Sequence, residues 1–165
     1  MSTLANLPTF SSDYTLTPNH IQEFRTSGVA LVRGLASTDE IAAYRPAINK
    51  AVADFNSEKR ALKDRDTYGM AFLQTINLWT KDEVVKQFSH ARRFAKVAAE
   101  LMGVSGVRMY HDQALYKEPG GGPTPWHQDQ NYWPLATDKT VTLWMPLLDI
   151  PPEVGTLSFA RGSHR

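Results

Sequence analysis

Apolar and polar positions alternate in two different rhythms along this chain, helical in its first part and strand-like in its second. Thr17-Pro18 reads as an N-cap followed by proline at the first helical position, opening a short helix through Ile21, Phe24 and Arg25 that Gly28 stops. Val29-Ala30-Leu31-Val32 then reads as a buried strand ending at Gly34. Ser37-Thr38-Asp39-Glu40 has the form of a helix start. Ile41, Tyr44, Ile48, Val52 and Phe55 follow at helical spacing, predicting a helix of about 20 residues with Pro46 as an irregularity inside it. Asn56 to Thr67 is strongly charged and predicts an exposed connection, while Met70 to Trp79 is more apolar without a clear period. Lys81 to Met102 carries Val84, Val85, Phe88, Phe94, Val97, Ala98 and Leu101 on one side, predicting one amphipathic helix closed by Gly103.

From Val107 onward the texture changes to short runs of β-branched and aromatic residues separated by turn signals. The runs are Val107 to Lys117, a Gly/Pro-rich loop from Glu118 to Pro125, then Trp126 to Trp133, Thr140 to Leu148 and Thr156 to Ala160. Helices first and strands second is an α+β order, with helices packed on a curved antiparallel sheet. No internal repeat or low-complexity tract interrupts it.

Composition narrows the chemistry. With 165 residues, the chain suits one globular domain with its own core. Its 18 basic and 17 acidic side chains are dispersed, so a net charge of +1 gives no field that would draw it to nucleic acid or anionic lipid. The expected partner is a small molecule, and the oligomeric state is open. The absence of cysteine excludes disulfides, thiolate metal sites and a cysteine nucleophile, so any metal must rest on histidine and carboxylate. Met1 to Phe10 lacks the basic and apolar regions of a signal peptide, and no stretch approaches the roughly 20 apolar residues of a membrane span. A cytoplasmic location is the default expectation.

His127 and Asp129 are the candidate metal ligands. Two residues apart in a segment that reads as a strand, they would project from the same face and aim an imidazole and a carboxylate at one point. A second histidine would complete the 2-His-1-carboxylate triad of non-haem Fe(II) oxygenases. Other residues have plainer readings: Trp126 and Tyr132 as core or sheet aromatics, His20 and His90 as surface residues, His111 as a packing or hydrogen-bonding residue, Arg92-Arg93 as a solvated helix face. Gly120-Gly121-Gly122 lacks the helix start of a phosphate-binding loop and reads as a flexible loop near the mouth of a site.

The stretch Pro125-Trp126-His127-Gln128-Asp129-Gln130-Asn131-Tyr132-Trp133, with Thr140-Val141-Thr142-Leu143-Trp144-Met145-Pro146-Leu147 after it, resembles the phytanoyl-CoA dioxygenase family of Fe(II)/2-oxoglutarate oxygenases. So do Asp149-Ile150 through Gly155-Thr156-Leu157 to Arg161-Gly162-Ser163-His164, and the opening Phe24 to Leu35. The resemblance implies a double-stranded β-helix, a cupin-like jelly roll. It would form a single domain over residues 1–165, with an N-terminal helical part over about 1–106 and the first jelly-roll strands over about 107–165. It implies Fe(II), 2-oxoglutarate and O2, and hydroxylation of an unactivated C–H with release of succinate and CO2. His127 and Asp129 take the metal positions. Gln128, Trp144, Lys117 and Gln113 fall where relatives contact the co-substrate, and Trp133 where they place an aromatic beside the primary substrate. Asp129 stands where related halogenases carry a small residue, which favours hydroxylation.

The family's second histidine, and the arginine for the far carboxylate of 2-oxoglutarate, lie downstream of the Gly-Ser-His turn that His164 occupies. The expectation is therefore a distal histidine beyond Arg165 and a chain that lacks the second half of the jelly roll. Two other readings remain: a cupin-like metal-binding protein or isomerase that uses no 2-oxoglutarate, and a non-catalytic fragment or paralogue of the oxygenases.

Overall fold

The computed structural model describes residues 6–165. Helix α1, Pro18–Ser27, starts where Thr17 and Pro18 predict, and its cap has a second partner: His20 reaches back to the Thr17 amide at 3.1 Å. The histidine expected to be a mere surface residue thus closes a capping box. Gly28 ends the helix at φ 77°, in left-handed space that costs glycine nothing. A Cβ there would also fall 2.5 Å from the His164 ring.

Helix α2, Thr38–Phe55, is capped by Ser37 and Glu40 as expected and buries Tyr44, Ile48 and Val52, while its last residue, Phe55, is 40% exposed. The short α3, Thr67–Ala71, follows a single 3-10 turn at Leu62–Asp64 in the charged connection.

The single helix expected over Lys81 to Met102 is two helices, α4 at Glu83–Ser89 and α5 at Arg92–Met102, with Ala91 extended between them. Core packing explains the break. On one continuous helix Phe88 and Phe94 would point about 120° apart. Bent at Ala91, both meet Phe10, with ring centroids 5.7 and 4.9 Å away, and each other at 5.5 Å. Tyr44 completes this cluster at 5.3 Å from Phe10. Phe10 is 1% exposed and Tyr44 fully buried, so the polar N-terminal segment contributes the centre of the core. Arg93, read as part of a solvated face, lies over the Phe10 ring and pairs with Glu40 at 2.9 Å.

One antiparallel ladder is present among the described residues: β1, Leu73–Ile76, pairs with β2, Gln113–Tyr116, in the register Leu73↔Tyr116 to Ile76↔Gln113. The mixed helix-and-sheet class agrees with the α+β expectation, but the strands expected at 29–32, 126–133, 140–148 and 156–160 do not form, and Val107 to Lys117 is a strand only over β2. A run of β-branched and aromatic residues records fit to a pleated, half-buried surface, whereas a strand exists only where a neighbour supplies backbone hydrogen bonds. Val29 to Val32 illustrates the difference: Ala30 and Val32 pack on the core, Leu31 is 61% exposed, and no strand pairs with them.

Candidate metal centre

The backbone around the His-Gln-Asp motif is shaped by prolines and a tethered loop. Arg65, whose side chain is 7% exposed, binds the carboxylate of Glu118, while the Gly122 amide donates to the Met70 carbonyl at 2.9 Å. The loop read as flexible is therefore held on both sides. Gly121 is needed for this approach, since a Cβ there would meet the Met70 carbonyl at 2.9 Å.

His127 and Asp129 do come together, but not along a strand. His127 lies in no strand, Gln128 is extended and Asp129 begins a 3-10 turn, Asp129–Tyr132, so the shared-face argument is replaced by a turn that brings the second side chain back to the first. His127 Nε2 lies 3.3 Å from Asp129 Oδ1. His127 Nδ1 lies 2.8 Å from the Pro125 carbonyl, which can only accept, so Nδ1 carries a proton and Nε2 is the ring nitrogen that faces the carboxylate. Thr142 Oγ1 donates to Asp129 Oδ2 at 2.7 Å, turning Oδ1 toward the imidazole. Tyr132 stands edge-on to His127 with centroids 5.8 Å apart.

This donor pair fits a divalent metal. Two acceptors facing each other repel unless a proton or cation lies between them. With each donor about 2.1 Å from a shared ion, a 3.3 Å separation subtends roughly 100°, near the right angle of adjacent octahedral positions. The fixed tautomer and the Thr142 bond are the outer contacts that metal ligands commonly carry. Among the described residues no third histidine or carboxylate joins the pair. His164 does not: its Nε2 lies 3.3 Å from the Arg25 carbonyl, against the end of α1.

The other predicted residues divide into groups. Gln113 and Trp133 lie in one polar and aromatic cluster: Gln113 Oε1 accepts from Gln74 at 2.6 Å, and Trp133 packs beside Tyr110 and His111 with centroids 5.9 Å away in both cases. Lys117 Nζ donates to the Gly122 carbonyl at 3.0 Å and stands over the Phe72 ring. Gln128 turns away from the metal pair and donates to the Ser163 carbonyl. Trp144 is 37% exposed.

Trp126 and Tyr132, read as core or sheet aromatics, are 75% and 67% exposed. A tight loop and turn keep both rings out of the core, and Tyr132 meets only the His127 ring edge-on. Neither Thr142 nor Tyr68 is legible in the sequence, because a threonine two positions from a tryptophan and a tyrosine just after a charged connection carry no motif. Burial pushes the Tyr68 hydroxyl above its usual pKa, and the nearby Tyr132 and Asp129 push the same way.

Similarity to known proteins agrees with the motif. A relative from Stutzerimonas stutzeri, described as a probable alpha-ketoglutarate-dependent hypophosphite dioxygenase, is 30% identical over 59 residues, which cover 36% of this chain and 21% of that protein. The phytanoyl-CoA dioxygenase of Arabidopsis thaliana is 22% identical over an alignment covering 91% of this chain and 65% of the relative. The chain thus spans less than two thirds of either relative's length. No solved structure matches. The sequence model of the Phytanoyl-CoA dioxygenase (PhyH) family matches residues 24–165, and the chain belongs to that family.

Proposed function

We propose that this protein is an Fe(II)/2-oxoglutarate-dependent oxygenase that hydroxylates an unactivated C–H of a small organic substrate. The observation that carries the proposal is His127 Nε2 facing Asp129 Oδ1 at 3.3 Å, with the far side of each group tied back to Pro125 and Thr142. The names of two relatives, both dioxygenases and one alpha-ketoglutarate-dependent, support the same chemistry.

In this reading His127 and Asp129 hold the iron, and a histidine downstream of Arg165, within a completed double-stranded β-helix, supplies the third protein ligand. When bound, the iron with 2-oxoglutarate and O2 supplies the oxidising power that converts substrate C–H to C–OH, with succinate and CO2 released. The chain's own residues prepare the site. The Pro125 carbonyl keeps the proton on His127 Nδ1, Thr142 orients the Asp129 carboxylate, and the Arg65–Glu118 pair holds the loop from which the motif emerges. Gln113, Lys117 and Trp144 are proposed to contact 2-oxoglutarate, and Trp133 to wall the primary substrate.

The test is succinate release from 2-oxoglutarate by the full-length protein. The expected result is a rate that requires both Fe(II) and O2 and disappears in Asp129→Ala. Metal binding without succinate release would favour a cupin-like protein that uses the same pair without 2-oxoglutarate. An Asp129→Ala protein that still coupled 2-oxoglutarate decay to hydroxylation would overturn the metal assignment.

A further inference from the structure

The Gln113 carboxamide is held at both ends. Its oxygen accepts from Gln74 Nε2 at 2.6 Å, and its nitrogen lies 2.5 Å from His111 Nε2. Gln74 and Gln113 are diagonal neighbours on the β1–β2 ladder, so the backbone register brings them together. An amide nitrogen only donates, so His111 Nε2 is the acceptor and the His111 proton resides on Nδ1. The same imidazole meets the Trp133 indole almost perpendicularly, with centroids 5.9 Å apart and planes at 77°.

The backbone beside His111 is anchored as well. The Asp112 carboxylate accepts from the Leu78 and Trp79 amides at 2.8 and 3.0 Å, and the Asp112 carbonyl accepts from the Asn77 amide at 3.0 Å. His111 is thus a fixed post between an amide and an indole.

We propose that His111 is a positioning residue that holds the Gln113 amide and the Trp133 indole as one unit. The proposal rests on the roles given above to Gln113, at the co-substrate, and Trp133, at the substrate. One imidazole then sets both the amide offered to 2-oxoglutarate and the wall offered to the substrate, so the two sites are geometrically coupled. Packing alone would need only a ring at position 111; this arrangement needs a ring that also accepts a hydrogen bond.

Two variants separate these roles. H111F keeps a ring against Trp133 and removes the acceptor, whereas H111Q keeps an acceptor and removes the ring. In the full-length protein, nitrogen–proton correlation spectra report the Gln113 side-chain amide and the Trp133 indole N–H individually. H111F should shift the Gln113 amide signal and leave the Trp133 indole nearly in place, and H111Q should do the reverse. The KM for 2-oxoglutarate, measured by succinate release without added substrate, should rise about three- to tenfold in H111F, the loss of one hydrogen bond, and recover in H111Q. An unmoved Gln113 signal in H111F, or an equal KM increase in both variants, would overturn the proposal. If the unaltered protein releases no succinate, the co-substrate reading falls by itself, and the two spectra still decide whether His111 holds Gln113 and Trp133.

Discussion

His127 Nε2 and Asp129 Oδ1 face each other at 3.3 Å across the start of a 3-10 turn, each with its opposite side already engaged. Neither group is free to rotate away without losing the Pro125 or Thr142 contact. The pair is therefore preorganised toward an ion, which lowers the ordering cost of binding one.

That preorganisation predicts metal binding by two side chains acting together. His127→Ala or Asp129→Ala should weaken Mn(II) binding, read by electron paramagnetic resonance of the free ion, by more than about 100-fold, beyond the loss expected for an outer contact. Full retention of affinity in either variant would place the metal elsewhere.

Thr142 is the outer contact to remove. Thr142→Val keeps the side-chain shape and deletes the donor to Asp129 Oδ2. Metal affinity should fall about tenfold, while the thermal midpoint should stay close to that of the unaltered protein because Thr142 is exposed. A large drop in thermal midpoint would mean that the hydroxyl serves the fold instead.

Glu40 ties the start of α2 to α5, and its ionisation should mark stability. Burial pushes its carboxyl up, but the Arg93 and Ser37 hydrogen bonds outweigh burial and hold it below its ordinary value of 4.5. A carboxyl lowered in the folded state contributes stability above its unfolded pKa and loses it as pH falls through the folded value. Glu40→Gln should therefore cost about 1–2 kcal/mol at pH 7, and the difference from the unaltered protein should shrink below about pH 4. Urea titrations at pH 7 and pH 3.5 measure this directly; an equal difference at both would remove the ion pair from the explanation.

Arg65 is the most enclosed cation of the ion pairs among the described residues, with Glu118 one-third exposed. Arg65→Met should destabilise the protein by about 2–3 kcal/mol, below the cost for a fully buried pair, and should expose the 118–125 loop to proteolysis. Cleavage that stays as slow as in the unaltered protein would show that the Gly122–Met70 backbone bond suffices to hold the loop.

Local signals were legible because their physics is local. Thr17-Pro18, Ser37 with Glu40, Gly28 and Gly103 start and stop helices through contacts within a few residues, and all four act as read. The His-Gln-Asp motif named two side chains that do meet, although for a geometric reason that did not hold: they approach through a turn, not on one face of a strand. The break at Ala91 was not legible, because it arises where Phe10, Phe88 and Phe94 compete for one volume. Phe10 gave no warning either, since its φ of 49° and its burial depend on elements far along the chain.

The sequence by itself determined both ends of α1, the start of α2, the end of α5, the α+β order and the identity of the two proposed metal ligands, since capping, periodicity and donor chemistry belong to residues and their near neighbours. Tertiary structure alone decided which apolar runs became strands, because a ladder needs a partner at 4.7–4.9 Å and only Leu73–Ile76 and Gln113–Tyr116 find each other among the described residues. It alone also decided that Thr142 steers Asp129 and that His111 stands between Gln113 and Trp133. The Thr142–Asp129 and His111–Trp133 contacts join segments whose separation in sequence hides their meeting in space.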